Sequence, residues 1–186
     1  MSTPPFSVGE YTTPRLSFAE DLDAYAKGGA QGIGIDVSLK IRDAYSFVNT
    51  IPDAVDLLAE IDEPNVGILF DMWHLGDTPD VLDHIRAHAS RFLGVHVNDR
   101  RSPTRSWCDR VLPGDGGDDV RGILAAVEDG GFEGWYELEV FSDDGMFGND
   151  YPDSLWKLDP VELVRRGREK FELAWEHRRA GAAPSA

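Results

Sequence analysis

Three apolar runs in this chain each close on an acid or a histidine. Val66 to Phe70 runs into Asp71 and then Met72-Trp73-His74; Phe92 to Val97 carries His96 and leads into Asn98-Asp99; Trp135 to Val140 carries Glu137 and Glu139. Short apolar runs between turn signals read as strands buried on both faces. A buried parallel strand that finishes in a titratable side chain offers it at the carboxyl end of the sheet, where open α/β sheets and β/α barrels hold their chemistry.

The segments between these runs have helical spacing. Ser17 and Glu20 form a capping pattern ahead of Phe18, Leu22, Tyr25 and Ala26, and Gly28-Gly29 closes that helix before a Gly32–Val37 strand. Residues 38 to 50 give no clean period, and Pro52 opens a helix through Ile61. Further helices are expected over 78–90, 118–129 and 160–178, with strands over 66–71, 92–97 and 134–140. Strand, helix, strand in repetition predicts right-handed βαβ units and a parallel sheet. The count is about four strands, half of what an eight-stranded barrel requires, and the 186 residues are short of the about 250 typical of one. The expected organisation is a flexible arm over 1–14, one partial-barrel domain over 15–178 and a disordered tail over 179–186.

With 34 acidic against 18 basic residues, the net charge of −16 opposes a nucleic-acid backbone or an anionic membrane as partner. The single cysteine, Cys108, leaves no intrachain disulfide. No run approaches 18 apolar residues and no leader-like segment opens the chain, so the expectation is a soluble cytoplasmic protein.

If strands 66–71, 92–97 and 134–140 are parallel neighbours, Asp71, His96 and Glu139 emerge together at their carboxyl ends. Two carboxylates and an imidazole suit a divalent ion such as Mn2+, Mg2+, Co2+ or Zn2+. The same residues admit a structural account, in which Asp71 caps a turn, Glu139 pairs with an arginine and His96 is hydrogen-bonded filler. His74, three residues after Asp71, reaches the same mouth and is suited to polarise a substrate oxygen or relay a proton. Arg100, Arg101 and Arg105 lie in a loop expected to overhang the site, where a guanidinium suits a hydroxyl, carboxylate or phosphate and surface ion pairing accounts for at least two of them. Glu137 points the same way as Glu139, either supporting the site or pairing one layer deeper. Phe47, Trp73, Trp107, Phe141, Tyr151 and Trp156 are candidates for an apolar wall. Neither Gly32-Ile33-Gly34 nor the 114–119 run has the full pattern of a nucleotide loop.

The segments Asp71-Met72-Trp73-His74, His96-Val97-Asn98-Asp99, Pro113-Gly114-Asp115-Gly116 and Gly134 to Val140, in this order, resemble the sugar phosphate isomerase/epimerase family, whose fold is the xylose-isomerase-like TIM barrel. The resemblance covers roughly 48–178, with Ser17 to Lys40 similar to the first helix and strand region of relatives. It implies an incomplete (β/α) barrel of that type, lacking about four βα units between Lys40 and Ser46. It further implies Asp71, His96 and Glu139 as the second, third and fourth ligands of a divalent metal ion, with His74 touching substrate. The family's first ligand, a glutamate, has no counterpart before Ile51; Asp36 is the nearest acid and ends what resembles the first strand.

The implied activity is metal-dependent isomerisation or epimerisation of a small ketose or keto-polyol, with Glu139 taking the α-proton and His74 and Arg101 stabilising the enediolate. Inosose dehydratase-like or hydroxypyruvate isomerase-like chemistry uses the same ligands. The non-enzymatic alternative is a truncated remnant that binds metal or polyol, or only associates. Exposed edges of an incomplete sheet favour a homo-oligomer.

Overall fold

The computed structural model describes residues 3–9, 12–34, 50–61 and 67–180. In chain order the elements are β1 (Phe6–Gly9), α1 (Phe18–Gly28), β2 (Gly32–Gly34), α2 (Ile51–Ile61), β3 (Ile68–Asp71), α3 (Met72–Leu75), α4 (Val81–His88), β4 (Phe92–Val97), β5 (Asp99–Arg100), β6 (Arg110–Val111), α5 (Val120–Asp129), β7 (Trp135–Leu138) and α6 (Pro160–Glu176). Single 3-10 turns cover Ala89–Arg91 and Leu155–Lys157.

Local chemistry accounts for the helix ends. Ser17 N and Oγ both donate to Glu20 Oε2, at 2.8 and 2.6 Å, and Gly29 closes α1 at φ 86°, a conformation that favours glycine. Asp119 and Asp159 each accept a backbone N–H three residues on, at the starts of α5 and α6.

Five strands form one wholly parallel sheet in the order β2-β1-β7-β4-β3, and β5 and β6 form a separate antiparallel pair. The last strand, β7, pairs with the first, β1, as in the closing seam of a β/α barrel, while β2 and β3 are the edges. Helices cover one face. Phe70 stacks on Phe92 with centroids 5.3 Å apart, and Phe6 and Tyr136 meet Phe171 of α6 at 5.5 and 5.4 Å.

Strand registers align one row across the whole sheet: Gly32, Ser7, Glu137, His96 and Asp71. Two residues earlier on three of these strands lies a second row, Trp135, Gly94 and Leu69. Side chains two apart on a strand share a face, so a polar layer sits above an apolar one on the face turned away from the helices. Such layering is that of a barrel interior. Here the apolar layer is open: Leu69 is 55% exposed and Trp135 46%, and Leu93 beside them 62%.

Two expectations are corrected. The N-terminal arm is a strand over Phe6–Gly9, buried throughout and central in the sheet; Pro4-Pro5 and the short Phe-Ser-Val-Gly run concealed it, because four residues are too few for a period to show. Among the described residues the parallel sheet has five strands, in line with the expected partial barrel of about four, and the strand at Gly32 is the second. At the other end, Arg179, expected in a disordered tail, is held by Glu128 and Asp129 at 2.6 and 2.7 Å. Residues 35–37 of the expected Gly32–Val37 strand, Asp36 among them, and the 38–49 stretch with Phe47 lie outside the described residues, as do 181–186.

Candidate metal and proton-transfer site

Asp71 ends β3 and turns the chain into α3, and its carboxylate is used on both sides. Oδ1 accepts from Trp73 N at 2.8 Å, capping α3, and from Asn98 Nδ2 at 3.1 Å. That fixes the carboxylate plane and leaves Oδ2 facing the crevice. His96, opposite Asp71 in the ladder, directs Nδ1 toward Asp71 Oδ2 at 3.5 Å and Glu139 Oε2 at 3.2 Å. Its other nitrogen, Nε2, lies 3.1 Å from Glu137 Oε1, while Ser7 Oγ donates to Glu137 Oε2 at 3.3 Å. Glu137 stands where the supporting role expected of it requires: in the neutral imidazole, an N–H on Nε2 toward Glu137 leaves the Nδ1 lone pair facing the crevice.

One oxygen or nitrogen from each of Asp71, His96 and Glu139 lies within 4.8 Å of the others. The donor set and its convergence fit a divalent ion. The charge fits as well, because a cationic group already occupies the cluster. Arg110 Nη1 donates to Asp71 Oδ2 at 2.9 Å and to Glu139 Oε2 at 2.6 Å. His74 joins at the mouth, half exposed, with Nε2 3.5 Å from Arg110 Nη2 and 4.0 Å from Asp71 Oδ2.

These contacts govern protonation. Burial is the largest single influence on Asp71 and opposes its charge, yet Arg110, then His96 and His74, outweigh it and hold the carboxyl well below the ordinary range. Burial likewise disfavours the His96 cation, and its hydrogen bonds to Asp71, Glu137 and Glu139 together lift the imidazole well above its usual value.

Arg101 is not brought to the cluster. Its guanidinium pairs with Asp109 at 2.9 Å and Asp153 at 2.9 Å, in a group that also contains Arg105 stacked 3.9 Å from the Tyr151 ring. Arg100 spans Asp77 and the Trp73 carbonyl, the latter at 2.6 Å. The arginine that enters the site is Arg110, which the sequence reading passed over. Its signal was slight: a basic residue between Asp109 and the apolar Val111-Leu112, just ahead of Pro113-Gly114, in a strand of two residues.

The 114–118 turn is organised by a buried carboxylate. Asp99 accepts N–H bonds from Arg100, Gly114, Gly116 and Asp118 at 2.7 to 3.1 Å. A Cβ on Gly116 would stand 2.3 Å from the Arg100 carbonyl oxygen, so only glycine permits the turn to close over β5. Among the expected aromatic wall residues, the Phe141 ring centroid lies 4.8 Å from the Arg110 guanidinium carbon and that of Trp73 5.3 Å, and Trp107 and Trp156 pack on Phe141; Phe147, outside the expected set, fills the space between Trp107 and Trp156.

Comparison with known proteins is consistent with this arrangement. A family model described as the xylose isomerase-like TIM barrel matches residues 22–172. An inosose isomerase of Bacillus licheniformis is 26% identical over 145 residues, covering 75% of this chain and 49% of that protein. The solved structure of protein SMc04130 from Sinorhizobium meliloti 1021 superposes with a TM-score of 0.60 at 28% identity, over 76% of this chain and 50% of that one. The structure of an IOLI protein with a bound zinc atom superposes with a TM-score of 0.57 at 16% identity, over 91% of this chain and 62% of that one, a likeness of fold. The chain spans about half the length of the curated relatives it matches.

Proposed function

We propose, from the premise that this chain belongs to the xylose isomerase-like TIM barrel family, that it acts on a small ketose or keto-polyol by divalent-metal-dependent isomerisation or epimerisation. The observation that carries the reading is the convergence of Asp71, His96 and Glu139 at the ends of adjacent parallel strands. The inosose isomerase resemblance supports the substrate class, and the zinc-binding fold neighbour supports the cofactor class. Asp71 Oδ2, His96 Nδ1 and Glu139 Oε2 would hold the ion. When bound, it supplies Lewis acidity that polarises a substrate carbonyl and its neighbouring hydroxyl.

The chain's own residues do the rest. Glu139 accepts the proton on the carbon next to the carbonyl; the C–H electron pair becomes the carbon–carbon double bond of an enediolate as the carbonyl oxygen takes up charge. For isomerisation Glu139, now protonated, returns the proton to the former carbonyl carbon while the hydroxyl proton passes from one enediolate oxygen to the other, so the carbonyl reappears one carbon along. His74 donates at the developing oxyanion, while Arg101, held by Asp109 and Asp153, takes no part. Dehydration of an inosose-like polyol begins with the same proton removal. The cytoplasm as its location is part of this proposal, and among the described residues no helix is long and apolar enough to cross a membrane.

The experiment is exchange of the α-proton of an inosose and of a ketohexose in D2O, followed by NMR with and without Mn2+. Exchange that needs Mn2+ and falls at least about a hundredfold in Glu139→Gln is expected; metal-independent exchange, or a Glu139→Gln variant as active as the native protein, would sink the assignment.

A second reading has its own observation. Epimerisation needs an acid on the face opposite Glu139, and among the described residues the metal cluster has three donors and no second free carboxylate. A remnant that binds metal or polyol without turnover fits that count, and would show Mn2+ uptake without exchange. Self-association belongs to both readings. The exposed Leu69, Leu93 and Trp135, and β2 and β3 as edge strands among the described residues, support it, and sedimentation over a concentration series tests it.

A further inference from the structure

We infer that Arg110 is a resident counter-ion of the Asp71–Glu139 pair, and that the site loads by exchanging this guanidinium for a divalent ion; the inference rests on the metal-dependent reading above. Arg110 Nη1 donates to Asp71 Oδ2 and Glu139 Oε2, the same two oxygens that His96 Nδ1 faces. Ion and guanidinium therefore compete for one pair of oxygens. Within a buried cluster their like charges repel strongly, so both do not occupy it.

The way Arg110 is held marks it as displaceable. Arg178, a buried arginine with a structural task, has Nε and Nη2 on Glu128 at 2.9 and 2.7 Å and Nη1 on the Trp175 carbonyl at 2.6 Å. Arg110 is as buried, yet its Nε is without a hydrogen-bond partner and Nη2 meets only the His74 ring nitrogen at 3.5 Å. Its one firm anchor is the carboxylate pair. The rest of its environment is the Trp73 and Phe141 rings, whose attraction for a cation tolerates sliding. It stands on β6, two residues long, which pairs with β5 on one side and on the other is held by Arg110 N donating to the Phe141 carbonyl at 2.8 Å and by the Asp109–Ser142 bridge, so the backbone stays in place and the exchange is a movement of the side chain alone. The guanidinium neutralises two carboxylates that would otherwise share a buried site, and yields to a cation that ligates them better.

Titration calorimetry with Mn2+ at pH 7.5 on the native protein, Arg110→Met and Arg110→Lys tests this. Arg110→Met is expected to bind Mn2+ at least about tenfold tighter than native, and Arg110→Lys, which keeps the charge, to stay within about threefold of native. Metal-free Arg110→Met is expected to melt below metal-free native protein, with the gap closing in Mn2+. Native protein that binds Mn2+ while Arg110→Met binds equally or more weakly would overturn the exchange and leave the metal reading standing. No uptake by any of the three overturns both.

If Arg110→Met does not fold, the native protein decides the matter through Trp73. Saturation with Zn2+ is expected to change the tryptophan emission, and Trp73→Phe to abolish that change. Unaltered native emission at calorimetric saturation would overturn the exchange.

Discussion

Glu137 shows how much a site residue depends on what stands behind it. Its carboxylate takes one oxygen to His96 Nε2 and the other to Ser7, a residue of the N-terminal strand 130 positions away. By orienting the imidazole, Glu137 acts as a positioning residue. Glu137→Ala is expected to weaken Mn2+ binding by about 10–100-fold, read by calorimetry, with the fold intact by circular dichroism; unchanged affinity would mean His96 is held by Asp71 and Glu139 alone. The pairing of Glu137 with Glu139 on one face follows from strand alternation and was legible in the sequence. That His96 lies level with Glu137, and that Ser7 stands behind it, depends on the register between strands, which no single segment encodes. Asp71 fills the capping role with one oxygen, while the other accepts from Arg110 and faces the cluster where the proposed ion would sit. The purely structural account and the ligand account were never exclusive, because a carboxylate has two oxygens.

Among the elements, α5 and α6 are tied at their ends by Glu128, which accepts from Arg178 and Arg179. Hydrogen bonds from Arg178, and then those from Arg179, pull its carboxyl down to about 2. A carboxyl depressed below its unfolded value stabilises the fold above that value and loses the contribution as pH falls. Glu128→Gln is therefore expected to cost about 1 kcal/mol near neutral pH, discounted for partial solvent screening, and the cost to shrink between about pH 4.5 and 2. Urea denaturation across that range checks it; a difference independent of pH would assign the effect to packing. The helices themselves were readable from caps and spacing: α2 and the α6 start fall where Pro52 and Pro160 place them. The hairpin β5–β6 was not, because two-residue strands have no period, and with it went Arg110.

Among the described residues the sheet is an arc of a barrel, seamed where β7 meets β1, with β2 and β3 at its two edges. The two faces of this sheet differ in what a side chain is worth. Phe70→Ala, which removes a fully buried ring from the helix side, is expected to destabilise by about 3–5 kcal/mol, while Leu69→Ala on the open face costs less than about 1 kcal/mol. Denaturant midpoints measure both; equal losses would mean that Leu69 is covered in solution. The βα rhythm, the strands that lead to Asp71, His96 and Glu139, and the oxygen and nitrogen donors these residues offer were determined by the sequence alone, because alternation, capping and residue type act over a few neighbours. Tertiary structure decided the rest: that the N-terminal segment is a central strand, that Arg110 rather than Arg101 enters the site, and that an apolar layer stands open below it. Each depends on which strand lies beside which and in what register, and hydrogen bonding between distant segments sets that only when the chain closes on itself.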